Sequence, residues 1–126
     1  MAIRDSVRES MRDSAAPHLR HGELVHAVFA GQTASQWLAV LTSAFVFLPF
    51  NRYRIFVVTS ARIVVVDAGQ SSMKTALSVM AELPRSTRLG PPAGIWHTIP
   101  VGDENIRVHR HFFKDIDRAD VLPAAA

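Results

Sequence analysis

Two runs of β-branched and aromatic residues, Arg52-Tyr-Arg-Ile-Phe-Val-Val-Thr59 and Arg62-Ile-Val-Val-Val-Asp67, stand on either side of the short break Ser60-Ala61. Runs of this composition around a two-residue interval predict two antiparallel strands joined by a tight hairpin. In the first run Tyr53, Ile55 and Val57 fall on one face and Arg52, Arg54, Phe56 and Val58 on the other, which predicts one wet end and a covered remainder. In the second, Ile63 and Val65 oppose Arg62, Val64 and Val66. Neither strand is polar along a whole face. A sheet covered on both sides over part of its area therefore fits better than an isolated hairpin, which would be marginal in water.

The flanking chain supplies further elements. Ile3, Val7 and Met11 recur every four residues beside Arg4, Arg8 and Arg12, with Asp5, Glu9 and Asp13 on the adjacent line, so residues 1–18 read as an amphipathic helix ending near Pro17. Its arginines alternate with acids, and it lacks the basic face of a membrane-surface helix. Leu24 to Phe29 reads as a strand entered through the turn Gly22-Glu23, and Gly31 to Gln36 is turn-like. Beyond the hairpin, Ala68 to Thr75 is a connection, and Ala76 to Pro84 alternates Leu77, Val79, Ala81 and Leu83 against Ser78, Met80 and Glu82. Pro84 to Gly90 is expected to bend into an edge strand carrying Thr87 and Leu89, and Gly90-Pro-Pro-Ala-Gly94 forces a break. Ile95 to Ile99 and Asn105 to His109 read as strands around a turn in Pro100 to Glu104. From Arg110 or His111 onward, Phe112, Ile116 and Ala119 form one helical line, and Asp115 and Asp117 suit the start of that helix. Residues 122–126 are expected to fray.

Composition narrows the class. The 126 residues are 48% hydrophobic and 20% charged, which suits one domain with one core. With no cysteine, disulfides and thiol chemistry are excluded. A formal charge of +3 helps attraction to anions without requiring an anionic partner. The mixed charges before Arg20 do not make a secretory signal, so a cytoplasmic location is expected.

From Leu24 to Asn51 there is no Asp, Glu, Lys or Arg, and the stretch Trp37 to Phe50 is almost wholly apolar. As a helix its 14 residues would cover only about 21 Å, against roughly 30 Å of hydrocarbon. It is too short to cross a bilayer. Two readings compete: burial within the protein or its oligomer, and contact with a membrane surface. Trp37 at one end and Pro49-Phe50-Asn51-Arg52 at the other have the character of interfacial anchors, with Arg52 and Arg54 able to meet phosphates. Trp37, Leu41, Phe45, Phe47, Phe50 and Arg52 are the candidate membrane or partner contacts.

Catalytic and metal-binding signals are weak. His18, His21 and His26 are split by a turn and a strand and would not converge, so no metal site is expected. His97, His109 and His111 can be paired with Asp103, Glu104, Asp115 or Ser86 only on paper. The chain has no phosphate-binding loop, dinucleotide fingerprint or zinc-protease helix motif, and no cofactor is expected. Nucleic-acid binding would need Arg85, Arg88, Arg107, Arg110 and Lys114 with Trp96, but Glu82, Asp103, Glu104, Asp115 and Asp117 dilute that field. It is the weakest of the binding alternatives.

Roughly seven short strands and a closing helix describe a mainly β fold with flanking helices: a strongly bent antiparallel sheet or partly open barrel closed by a C-terminal helix. Gly22-Glu23, Tyr53 to Asp67, Val79 to Gly90 and Val108-His-Arg-His-Phe-Phe-Lys-Asp115 together resemble small bacterial, especially actinobacterial, pleckstrin-homology-like domains. The resemblance covers roughly Leu19 to Val121, and the corresponding division is an N-terminal helix (1–18), the domain (19–121) and a tail (122–126). It implies a non-enzymatic binding or assembly module of the kind used for phosphoinositides, peptides or self-association and associated with a membrane or membrane-protein complex. Lys74, Arg85 and Arg88 are then candidate anion contacts, although no dense Lys/Arg pattern for a polyphosphorylated headgroup is present. A protein partner or a second copy is expected, with peripheral contact at the inner face of the plasma membrane as the membrane-facing version. The alternatives are a soluble homo-oligomeric scaffold and a weak nucleic-acid binder. Fold analogy does not choose among them.

Overall fold

The computed structural model describes residues 5–33, 52–69 and 75–122. The chain runs through α1 (Asp5–Ala15), a 3-10 turn (Ala16–His18), β1 (Val25–Gln32), β2 (Tyr53–Thr59) and β3 (Arg62–Gly69). It continues through β4 (Ser78–Pro84), β5 (Trp96–Val101), β6 (Glu104–His109), a second 3-10 turn (Arg110–Phe112) and α2 (Phe113–Val121). The strands form one antiparallel sheet in the order β4-β3-β2-β1-β6-β5. The sheet is strongly curled into a half-barrel with the C-terminal helix following it, consistent with a pleckstrin-homology-like architecture.

The curl has local causes. Register shifts leave His26 as an extra residue on β1, Ala68 on β3 and Met80 on β4. Each such bulge increases the twist and bends its strand. The central strands bury consecutive residues, Ile55 to Val58 and Ile63 to Val66 all being fully buried, and consecutive residues point to opposite faces. Both faces are therefore covered, as the mixed pattern of the two runs predicts. Phe29 and Phe56, partners across β1 and β2, stack at 4.8 Å between centroids.

The expected wet end at Arg54 is not observed: Arg54 is buried, and so is Arg62. Each reaches two carboxylates. Arg62 Nε and Nη2 donate to Glu23 at 3.0 and 3.0 Å, Nη1 meets Glu82, and Nη2 also donates to the His18 carbonyl at 3.2 Å. Arg54 Nη1 donates to Asp67 at 2.7 Å, while Nε and Nη2 grip Glu104 at 3.1 and 2.9 Å. A hydrophobic-pattern argument classes these arginines as surface because it does not see their partners, which come from distant elements.

The β2–β3 turn forms without the left-handed residues favoured in two-residue hairpins, since no non-glycine residue among those described has a positive φ. Thr59 Oγ1 instead accepts from the Ala61 and Arg62 amides at 3.2 and 3.1 Å. α1 packs on β1 and β2 through Met11 and Ala15, and α2 packs on β1, with Phe112, Ile116 and Ala119 all buried as their spacing predicts. Arg8 and Asp115 join the two helices through paired bonds of 2.9 and 3.2 Å.

Two strand expectations need correction. Residues 85–93 form a turn and irregular backbone rather than an edge strand, so six strands rather than seven are present among the described residues. Leu89 is nonetheless buried, and its amide and that of Gly90 donate to the Asp120 carboxylate at 2.9 Å each, bonds to a helix in place of a ladder. The alternation expected over 76–84 is interrupted by the Met80 bulge, and the edge strand β4 leaves Val79 and Met80 exposed, with Leu77 exposed just before it.

Candidate functional site

At the far end of the sheet from the β2–β3 turn, the ladder almost gives way. β1 and β6 share a single register pair, Gln32 with Arg107. Gly31 permits even this approach: a Cβ there would lie 2.6 Å from Ile106 Cγ2 and 3.0 Å from the Arg107 carbonyl oxygen. Where the two strands part, an open cleft of about 240 Å³ forms, lined by Ala30, Gly31, Gln32, Tyr53, Trp96, Arg107, His109, His111 and Phe112.

The β5–β6 hairpin sets the chemistry of one wall. Its two-residue turn, Gly102-Asp103, has Gly102 at φ +57° and aligns Val101 with Glu104, which carries Trp96 opposite His109. Trp96 and His109 meet edge to face at 4.9 Å, and His109 and His111 at 4.2 Å. The His111 amide donates to His109 Nδ1 at 3.2 Å, so the neutral His109 ring carries its proton on Nε2. Burial, then the neighbouring charges of His111 and Arg110, lower the pKa of His109 from its ordinary value. Arg107 Nη1 donates to the Thr33 carbonyl at 2.8 Å, which ties the second wall to the end of β1.

Thr33 is also one half of a clamp. Its amide donates to the Arg52 carbonyl at 2.9 Å, and the Arg52 amide donates to Thr33 Oγ1 at 3.0 Å. The two ends of the charge-free connection 34–51 are thereby held side by side beside the cleft. Arg52 is half-buried at this clamp. Trp37, Leu41, Phe45, Phe47 and Phe50 lie outside the described residues, as does Lys74.

The other candidate anion contacts are placed elsewhere. Arg85 is 8% exposed, and its Nη2 donates to the Leu122 carbonyl at 2.8 Å and approaches His26 Nδ1 at 3.2 Å. Burial, with the charges of Arg85 and Arg118, lowers the pKa of His26, which suits an acceptor role toward Arg85. Arg88 is exposed and pairs with Asp120 at 3.5 Å. Arg85 and Arg88 line a separate polar recess with Ser86, Thr87 and the end of α2. His18, His21 and His26 sit on a 3-10 turn, a loop turn and β1, and among the described residues no group of three or more His, Cys, Asp or Glu is arranged to hold a metal ion.

The sequence carries a signal for one wall of the cleft. Once Gly102-Asp103 is taken as a two-residue turn, register alone pairs Trp96 with His109. The contribution of Ala30 to Gln32 is a non-local pairing that local patterning does not encode. Among the described residues no helix is long and apolar enough to cross a membrane. No protein-family model matches the chain, and neither a curated protein nor a solved structure matches it.

Proposed function

We propose that this protein is a non-enzymatic interaction module of pleckstrin-homology-like type, associated with a membrane or membrane-protein assembly, that binds through the open end of its half-barrel. The observation that carries this reading is the Thr33–Arg52 clamp, which gathers the ends of a connection without Asp, Glu, Lys or Arg onto one end of the sheet. An apolar run with Trp37 and Phe50 near its ends, tied to the sheet at Thr33 and Arg52, has the composition that favours a bilayer interface.

Flotation with anionic phosphatidylglycerol vesicles tests the reading. Wild type is expected in the lipid fraction and Phe47→Asp in the soluble fraction, with both proteins equally folded by circular dichroism. Equal absence of both from the lipid fraction sinks direct bilayer binding. In that event, a concentration-dependent dimer by light scattering that is lost in Phe47→Asp assigns the same run to self-association.

A further inference from the structure

We propose that the cleft between β1, β5 and β6 is a binding site for a small aromatic carboxylate. This inference is independent of the membrane reading, because it rests only on the described walls of the cleft.

The size comes first. About 240 Å³ is below the usual range for drug-sized ligands and suits a single ring with one substituent. The walls then favour a planar apolar body: Ala30, Gly31 and Phe112 contribute no polar side-chain atom, and Tyr53 and Trp96 add ring surface. Aromatic walls gain from offset or edge contact with another ring.

Charge decides the substituent. No Asp or Glu lines the cleft, whereas Arg107, His109 and His111 all do. Burial first, and then the charges of His111 and Arg110, depress the basicity of His109. Arg107 uses Nη1 on the Thr33 carbonyl and, more weakly, on the Asn105 carbonyl at 3.5 Å. A guanidinium has five N–H donors in a planar fork, and a carboxylate is the anion whose two oxygens match that fork. A phosphate dianion would bring more charge than these partly apolar walls can solvate. A cationic ligand, which aromatic walls would otherwise suit, is opposed by Arg107.

Calorimetric titration of the full chain without vesicles tests the proposal, with benzoate, benzamide and acetate as probes. For a ligand of this size the expected benzoate Kd is about 1 mM, with benzamide and acetate each at least about tenfold weaker. Benzamide removes the charge and acetate the ring, so equal binding of either, or no benzoate binding up to roughly 20 mM, overturns the proposal. Arg107→Gln, checked for folding by circular dichroism, is expected to weaken benzoate about tenfold, and unchanged affinity contradicts the assignment. If loss of the Thr33 contact unfolds that variant, His111→Gln carries the same test. Because lipid is absent throughout, failure here leaves the flotation result standing on its own.

Discussion

The two buried arginines of the β2–β3 hairpin hold opposite ends of the same sheet, and they do so in different surroundings. Arg62, next to the turn, faces Glu23, whose side chain is only 4% exposed, and the pair adds Thr59, the His18 carbonyl and the more exposed Glu82 (47%) to one network around a buried carboxylate. Arg54, near the other end, reaches past β1 to Glu104 at the start of β6, and its acids Asp67 and Glu104 are 32% and 34% exposed. The first end is finished. The second has one ladder pair, a cleft and the clamp from which an apolar run departs. Ion pairing around a buried carboxylate marks the first end, and the proposed binding surfaces both lie where the sheet is left incomplete.

Removing Arg62 should break this contrast most strongly. Arg62→Met leaves the Glu23 carboxylate buried without its cation, and a loss of about 3–5 kcal/mol in urea unfolding is expected. Arg54→Met should cost clearly less, because water can reach both of its acids. Equal costs would remove the distinction between the two ends.

Acid provides the next largest effect. The Arg62 hydrogen bonds, opposed by burial and aided by the Arg20 amide and Thr59 hydroxyl, lower the Glu23 pKa from 4.5 to about 2. A carboxyl depressed in the folded state stabilises it fully above its unfolded pKa, and that contribution is lost as pH falls through the folded value. Stability should therefore decline between pH 4.5 and about 2, by up to about 3 kcal/mol from this group. Glu23→Gln should flatten that part of the pH profile, and an unchanged profile would deny Glu23 its place in the network.

At the open end, Gly31→Ala forces a methyl against Ile106 and the Arg107 carbonyl. A loss of about 1–3 kcal/mol is expected, with faster amide exchange in β6 than in β2 as the sharper sign that the seam has opened. The smallest effect belongs to the exposed edge: Val79→Thr on β4 should change stability by less than about 0.5 kcal/mol in the same unfolding assay.

The physics divides what was legible in the sequence from what was not. Local periodicity carried the strands, the buried line Phe112, Ile116 and Ala119, and the bent-sheet class. Arg54 and Arg62 escaped it because burial of a cation is decided by acids far along the chain, Glu104 and Glu23 among them. Residues 85–90 read as a strand and are not one because backbone bonds from Leu89 and Gly90 to Asp120 replace a ladder, and nothing in their alternation distinguishes the two. The cleft was half legible: the Gly102-Asp103 turn implies Trp96 beside His109, while the approach of Gly31 to β6 depends on how the sheet closes.

The proposed lipid contact of the apolar run is tested most directly by tryptophan quenching. The chain has two tryptophans, so Trp96→Phe leaves Trp37 as the sole emitter. With vesicles carrying brominated acyl chains, the account predicts strong quenching of this variant relative to unbrominated vesicles and weaker quenching of the Trp37→Phe protein, whose emitter Trp96 lies in the cleft rather than in the run. Unquenched Trp37 emission with vesicles in excess would contradict it.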